Sequence, residues 1–161
     1  MRLLDDGMHE GLPVMALELM GPDLARHGRG HLPLMLVLDW VDQINQALAT
    51  VHRYGRLYLD LKPANVLTER SGNGVRLADF GTSRLRTASA DGVYTGTASW
   101  QAPEQFFPSA ARTYDTDTRS DYFALGAMLY YLATARQLGF CSTCGEAWRA
   151  HQSAAPARAG R

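Results

Sequence analysis

The sequence predicts an α+β fold for this chain of 161 residues. Three observations lead to this prediction: short strand-like apolar runs open the chain, an apolar stripe with helical spacing follows, and a second, strongly apolar helix pattern comes later. Strand-like and helix-like segments thus occur in the same chain. At 46% hydrophobic and 20% charged residues, the chain can bury a sizeable core, so disorder throughout is excluded.

The first element is predicted to be a β-hairpin. Leu3-Leu4 and the apolar run 14–17 have the residue types of two strands. The letters DDG at residues 5–7 have the composition of a turn, so we place the reversal of the chain there. The letters GPD at residues 21–23 then end the second strand.

Two long helices are predicted next. Apolar residues recur at steps of four and three between Pro33 and Gly55, which predicts a helix over 34–53 with glycine at its carboxyl end. A second helix is predicted over 121–136, and its uncharged part is shorter than the roughly 18 to 20 residues that cross a bilayer. We therefore expect no membrane segment in this chain, and a central buried helix packed against the first one. The stripe of the first helix consists of Val37, Val41, Ile44, Leu48 and Val51.

The remaining segments are predicted to be short strands, a long loop and a tail. Val66-Leu67 and residues 75–78 are brief apolar pieces separated by the letters SGNG, which is typical of a small hairpin. Residues 81–99 are small and polar without a period, so a long loop is expected there. After residue 140 the composition shifts to Ala, Arg, Pro and Gly, and residues 141–161 are expected to form a divergent, poorly ordered tail.

The charge and cysteine content of the chain limit its possible binding partners and its cellular compartment. The 16 Lys plus Arg residues balance 16 Asp plus Glu residues, so no bulk field directs the chain to nucleic acid. Cys141 and Cys144 are too few for a disulfide scaffold or a four-thiolate metal site, and two reduced thiols are the simplest interpretation. A reducing, cytoplasmic location is therefore expected. The alternative is half of a zinc knuckle, which would need further ligands such as His151.

The strongest chemical signal is the sequence YLDLKPANVL at residues 58–67, followed by DFG at residues 79–81. Phosphoryl transfer from a nucleotide requires a carboxylate that accepts a hydroxyl proton, a cation beside the transferred group, and oxygen ligands for Mg²⁺. The sequence supplies such groups, in this order, as Asp60, Lys62, Asn65 and Asp79.

On these motifs the sequence resembles the eukaryotic-type protein kinase family. The likeness extends to the letters APE at 102–104, to Thr97 in the position of a substrate-facing threonine, and to Asp121 at the start of the central large-lobe helix. It covers about residues 3 to 136. The letters KPAN at 62–65 and APEQ at 102–105 are most similar to serine/threonine kinases of the bacterial type.

The resemblance implies an incomplete kinase-like fold, with a remnant of the small-lobe sheet and hinge at residues 1–20 and a mainly helical partial large lobe at 21–140. It implies ATP and Mg²⁺ as cofactors and, as partner, a protein substrate with a serine or threonine acceptor. The residues that it assigns to catalysis are Asp60, Lys62 and Thr97. Those that it assigns to nucleotide binding are Glu18, Met20, Asp23, Asn65, Leu67 and Asp79, of which Asn65 and Asp79 also bind the metal.

Several positions leave alternatives open or depart from the family pattern. Asp23 could bind ribose or simply cap the helix that follows it. Asp121 could be an ordinary first-turn carboxylate, or the buried acceptor that fixes the catalytic loop, which is the segment that carries Asp60. Tyr58 in place of histidine is expected to pack on Phe80, whereas Leu59 in place of arginine removes the group that grips a phosphorylated loop.

The function has a competing interpretation. Residues 1–161 contain no G-x-G-x-x-G loop, and Lys62 is the only lysine, so no strand lysine can contact the nucleotide. An arginine partner for Glu104 is missing too, which predicts an unpaired carboxylate there. The first hypothesis is a serine/threonine protein kinase whose truncated domain is inactive alone. The alternative is a catalytically silent remnant that acts as a protein-binding module.

Overall fold

The computed structural model describes residues 2–27, 32–86, 97–106 and 116–138. Within these ranges, strands and helices combine in the α+β arrangement that the sequence predicts. The strands are β1 (Leu3–His9), β2 (Leu12–Leu17), β3 (Arg56–Leu57), β4 (Val66–Thr68), β5 (Val75–Leu77) and β6 (Arg84–Leu85). The α-helices are α1 (Leu24–His27), α2 (Leu34–Arg53) and α3 (Thr118–Thr134). Single 3₁₀ turns cover 63–65, 98–100 and 103–105.

The opening hairpin forms, but its turn lies elsewhere than predicted. The antiparallel pairing of β1 with β2 continues to His9 opposite Leu12. The two residues between them, Glu10 and Gly11, both have positive φ, of 50° and 79°. A two-residue hairpin turn requires this backbone, and glycine adopts it without strain. The DDG letters at 5–7 are wrong as a turn because they lie inside β1.

Helix α2 confirms the predicted range 34–53. It follows Pro33 and ends before Gly55, which has a φ of 72°, as expected for a glycine that closes a helix. Val41 and Val51 lie at the edges of the predicted stripe and are half-buried. The buried residues of this helix are Val37, Trp40, Ile44 and Leu48.

Helix α3 begins three residues earlier than predicted and packs against α2, as predicted. The early start has a local cause, since the Asp117 carboxylate accepts a hydrogen bond from the Arg119 backbone N–H at 2.7 Å. No helix in the described ranges is long and apolar enough to span a membrane. The core residues that α3 contributes are Ala124, Leu125, Ala127, Met128 and Leu132.

A small hairpin, β4–β5, forms as predicted, and Gln43 of α2 is hydrogen-bonded to it. Gln43 donates from Nε2 to the Asn73 carbonyl at 3.2 Å and accepts from the Val75 N–H at Oε1 at 3.0 Å. The predicted loop 81–99 is wrong in part, because β6 pairs with β3 through Leu57 opposite Arg84. Such a two-residue strand depends on a distant partner, which local periodicity does not reveal. Residues 87–96 and the predicted tail 141–161, with both cysteines, lie outside the described residues.

The cap of α3 gives a first prediction. Asp117→Ala removes the acceptor for the Arg119 N–H and is expected to lower the free energy of unfolding by roughly 0.5 to 2 kcal/mol, near the low end because the site is partly exposed. The Arg119 side-chain hydrogen bond lowers the pKa of Asp117. Its stabilisation is therefore present above the unfolded-state pKa of about 3.9 and is lost as pH falls through the lower folded-state pKa.

Urea unfolding followed by tryptophan fluorescence, at neutral pH and at acid pH, measures both effects. Asp117→Asn is the matched control, since it keeps a capping oxygen and should lose less stability than alanine at neutral pH. Equal losses in the two variants would contradict the capping role.

Candidate active site

The backbone of residues 58–60 is held in place by one buried carboxylate. Asp121, on the first turn of α3, is 0% exposed. Its Oδ2 accepts from the Tyr58 N–H at 2.9 Å, and its Oδ1 accepts from the Leu59 N–H at 2.7 Å. The His52 ring nitrogen Nε2 lies 2.7 Å from Oδ2 as well. Asp121 thus joins α2 and α3 to the loop that carries Asp60, which is the buried role that the sequence left open.

Leu59 has an unusual backbone conformation for a branched residue. Its φ is 66°, in the left-handed region, which costs about 1 to 3 kcal/mol for a residue other than glycine. The conformation persists because its N–H is bound by Asp121 and its carbonyl accepts from Gln105 Nε2 at 3.1 Å. The side chain is 4% exposed, so it contributes apolar packing where the family pattern has an arginine.

Asp60, Lys62 and Thr97 form a closed ring of hydrogen bonds. Lys62 Nζ donates to Asp60 Oδ2 at 2.8 Å and to Thr97 Oγ1 at 2.7 Å. Thr97 Oγ1 donates to Asp60 Oδ1 at 2.9 Å. The structure therefore brings together the three residues that the resemblance assigned to catalysis, although 37 positions separate Thr97 from Asp60 in the sequence.

Asn65 completes the surroundings of Asp60. Its Nδ2 donates to the Asp60 carbonyl at 3.0 Å and to Asp60 Oδ2 at 2.9 Å. A carboxylate offers about four acceptor positions, and three are used by Lys62, Asn65 and Thr97. Two of these bonds reach Oδ2 and one reaches Oδ1, so Oδ1 is the oxygen best placed to receive a further hydroxyl.

Asp79 follows β5 and comes directly after Ala78, whose backbone contacts Asn65. The Ala78 N–H donates to the Asn65 carbonyl at 2.9 Å. Asp79 is exposed, has a φ of 55°, and accepts from the Gly81 N–H at 3.2 Å. With the Asn65 amide nitrogen directed at Asp60, the amide oxygen is left out of these two bonds. Like the Asp79 carboxylate, it is a donor atom of the kind that binds a hard cation. Oxygen ligands of this kind fit Mg²⁺, which keeps several waters and binds few protein groups.

No group of three or more His, Cys, Asp or Glu residues suited to a metal occurs in the described part of the chain. An amide oxygen and a carboxylate, the donor types at Asn65 and Asp79, are too few to enclose a cation by themselves.

Tyr58 and Phe80 link the catalytic loop to the DFG segment. Their ring centroids are 5.2 Å apart at an interplanar angle of 78°, which confirms the expected packing. The Tyr58 hydroxyl donates to the Ala78 carbonyl. Burial, and then the nearby carboxylates of Asp60 and Asp79, raise the pKa of Tyr58 well above its usual range. The hydroxyl therefore remains a hydrogen-bond donor at any physiological pH.

Two of the residues that the resemblance assigns to the nucleotide, Asp23 and Leu67, are neighbours in the structure. Asp23 forms a β-bridge with Leu67, which places the segment that follows the predicted hinge beside β4. The carboxylate Oδ1 of Asp23 accepts from the Arg26 N–H at 3.1 Å, so the capping alternative describes its contact in this structure. Glu18 is exposed, with its backbone N–H bound to the Arg2 carbonyl, and Met20 is half-buried.

The segment 97–106 is anchored on α3. The Trp100 ring packs edge-on against Tyr131, with centroids 5.4 Å apart. Ser120 Oγ donates to Glu104 Oε1 at 2.7 Å. The expectation of an unpaired Glu104 carboxylate is therefore wrong, because Ser120 of α3 donates a hydrogen bond to it.

Comparison with known proteins agrees with this geometry. The family model for the protein kinase domain matches residues 9–152. The serine/threonine-protein kinase PknL of Mycobacterium tuberculosis is 35% identical over 135 residues, a match that covers 80% of this chain and 32% of that protein. A probable serine/threonine-protein kinase of Streptomyces coelicolor, SCO3848, is 37% identical over 119 residues, covering 71% of this chain and 17% of that protein.

The chain belongs to the protein kinase family. It is similar to serine/threonine kinases of the bacterial type, and it spans about a third or less of the length of these relatives.

Two residues at the site were not found from the sequence. His52 contacts Asp121, but in the sequence it is simply a basic residue in the last turn of a helix. Gln105 contacts Leu59, and its only signal is its place directly after the APE letters. Both act through a backbone group or a buried carboxylate, which residue type and spacing alone do not identify.

The role of Asp121 gives a second prediction. Asp121→Ala leaves two buried backbone N–H groups and His52 without their acceptor, so the free energy of unfolding should fall by roughly 3 to 5 kcal/mol. Urea unfolding followed by tryptophan fluorescence measures this loss. The matched control is Asp42→Ala, which removes an exposed carboxylate that accepts from Gln46 Nε2 at 2.7 Å, and the stability lost should stay within about 0.5 kcal/mol. Similar losses in both variants would contradict the account.

Proposed function

We propose that this chain carries the phosphoryl-transfer part of a serine/threonine protein kinase active site. The observation that carries the proposal is the hydrogen-bonded ring of Asp60, Lys62 and Thr97, together with Asn65 at the same carboxylate. Phosphoryl transfer gains its rate from the positioning of the reacting groups and from nearby charge. The free chain already holds a carboxylate, a cation and an amide in fixed orientations for this purpose.

Each side chain has a distinct role in the proposed reaction. The hydroxyl oxygen of the substrate forms a bond to the terminal phosphorus of ATP, the bond from that phosphorus to the bridging oxygen breaks, and ADP leaves. Asp60 orients the hydroxyl and accepts its proton at Oδ1. Lys62 supplies positive charge beside the transferred phosphoryl group. Thr97 holds Lys62 and Asp60 in register and faces the acceptor residue.

The nucleotide and its metal are proposed to bind at the edge of the same site. Mg²⁺, when bound, neutralises charge on the phosphate oxygens. Asn65 through its amide oxygen and Asp79 through its carboxylate are the protein ligands. The residues that we assign to the adenosine part are Glu18 and Met20 through their backbone, Asp23 towards ribose, and Leu67 beneath the base. The β-bridge between Asp23 and Leu67 supports this assignment because it places two of these four residues side by side.

The acceptor is proposed to be a serine or threonine on a protein, in a cytoplasmic setting. The names of the similar proteins are those of serine/threonine kinases, and Lys62 contacts Thr97 as the resemblance to the family leads us to expect. In the same proposal, residues 1–20 belong to the small lobe and hinge, and residues 21–140 belong to the large lobe.

A second candidate function is a binding module without catalysis. It is favoured by the composition of residues 1–161, which include no G-x-G-x-x-G loop and no lysine besides Lys62. These missing groups align the phosphates in the family template, so Asp60 has no aligned donor within this stretch of chain. Kinase activity measured after a glycine-rich loop and a strand lysine have been supplied distinguishes the kinase function from the binding module.

Nucleotide binding gives a third prediction. Residues 1–161 provide only the floor of the nucleotide site. The Kd for Mg-ATP should therefore be in the millimolar range, which corresponds to a binding free energy of about −4 kcal/mol. Calorimetry on the isolated chain measures this affinity. Asp79→Asn removes a charged metal ligand and should abolish the Mg²⁺-dependent part of the binding. A micromolar Kd for the isolated chain would contradict the proposed floor-only site.

Activity gives a fourth prediction. The chain 1–161 alone should show no measurable transfer from radiolabelled ATP to a serine/threonine peptide mixture. A chimera in which a relative's complete small lobe precedes Met1, and that relative's remaining large-lobe helices follow Arg136, should phosphorylate these peptides.

The control for the chimera is Asp60→Asn, which keeps the shape of the side chain but cannot accept the proton, and transfer should disappear. An inactive, folded chimera would favour the binding-module function. Robust transfer by the unmodified chain, eliminated by Asp60→Asn, would contradict the view that residues 1–161 lack part of the site.

A further inference from the structure

Gln105 occupies a buried bridge between two segments of the site. It lies in the 3₁₀ turn 103–105 and is 5% exposed. Its Nε2 donates to the Leu59 carbonyl at 3.1 Å, and its Oε1 accepts from the Ala102 N–H at 3.0 Å. Both ends of the amide are thus bound to backbone groups, one on the catalytic loop and one on the segment that carries Thr97.

The bond to Leu59 acts on the peptide unit directly before Asp60. A peptide unit is planar, so fixing the Leu59 carbonyl also fixes the direction of the Asp60 N–H and Cα. The left-handed φ of Leu59 is unfavourable by itself and needs partners on both sides. Asp121 binds the N–H of Leu59, and Gln105 binds its carbonyl. The leucine side chain is apolar and offers no polar group that could replace either bond.

We propose that Gln105 is a positioning residue for the proton-accepting carboxylate of Asp60. The inference rests on the proposed function, since it assigns a task within that reaction. Gln105 holds the peptide between Leu59 and Asp60 in the orientation that directs Asp60 towards Thr97 and Lys62. Because the same amide also binds Ala102, it ties this orientation to the segment that faces the acceptor residue.

The first test measures amide hydrogen exchange by NMR in the 161-residue chain. Gln105→Leu removes both hydrogen bonds with similar volume, and Gln105→Glu removes only the donor to Leu59 and retains an acceptor for Ala102. Exchange at residues 59 and 60 should accelerate at least about 10-fold in both variants, while core amides of α2 change far less.

The matched control is Gln43→Leu. Gln43 also bridges a backbone carbonyl and a backbone N–H, at Asn73 and Val75, but it holds the β4–β5 hairpin instead of the catalytic loop. This variant should accelerate exchange in the hairpin and leave residues 59 and 60 unchanged. Uniform acceleration in the Gln105 variants, or unchanged exchange at residues 59 and 60, would overturn the proposal.

The second test uses kinetics of the chimera described above. Gln105→Glu should lower kcat on the order of 10- to 100-fold and leave the KM for ATP within about twofold, because a misdirected Asp60 affects the reaction and not nucleotide binding. Gln43→Leu should leave kcat within about twofold. An equal fall for both variants, or a loss confined to KM, would overturn the proposal. If the chimera itself is inactive, the proposed function fails, and the exchange experiment still decides whether Gln105 orients the loop.

Discussion

The arrangement of the site depends on the buried carboxylate of Asp121. A fully buried charge is costly unless it is hydrogen-bonded, and this one accepts from two successive backbone N–H groups and contacts His52. The two N–H bonds attach the catalytic loop to α3, and the contact of His52 attaches α2 to the same carboxylate. Because the Asp121 side chain is fully buried, water is excluded from it, which strengthens each of its hydrogen bonds.

The strained conformation of Leu59 follows from this constraint. Its backbone is held by Asp121 on one side and by Gln105 on the other, and its side chain packs in the interior. A leucine offers no guanidinium to a phosphate, so phosphorylation of the adjacent segment has no charged partner at residue 59. The backbone of the loop is instead held by Asp121 and Gln105, and the Asp60 side chain is held by hydrogen bonds from Lys62, Thr97 and Asn65.

Much of the fold followed from the sequence because the relevant signals are local. Helix α2 was predicted from its apolar stripe and from Gly55, and the packing of Tyr58 on Phe80 followed from the family pattern. The errors concern features that depend on distant or backbone partners. The turn at Glu10 is set by two positive φ values, and β6 exists only because β3 pairs with it.

The site shows the same division between local and distant information. The spacing of Asp60, Lys62 and Asn65 within one short motif made their shared site predictable, and the family pattern supplied Thr97. Ser120 donates to the Glu104 carboxylate, and the Gln105 amide donates to the Leu59 carbonyl. Each donor is distant in the sequence from its acceptor, and neither pair forms a recognisable motif. Residue type carries no signal for such contacts, so only the three-dimensional structure reveals them.

In this structure Asp121 orders the catalytic loop without a bound nucleotide. This ordering is tested most directly by amide hydrogen exchange of Tyr58 and Leu59, measured by NMR in the unmodified chain without nucleotide. The account predicts that both amides exchange only through openings whose free energy approaches that of global unfolding. Exchange of either amide at the rate of an unstructured peptide would contradict it, because the loop would then be unformed in the free chain.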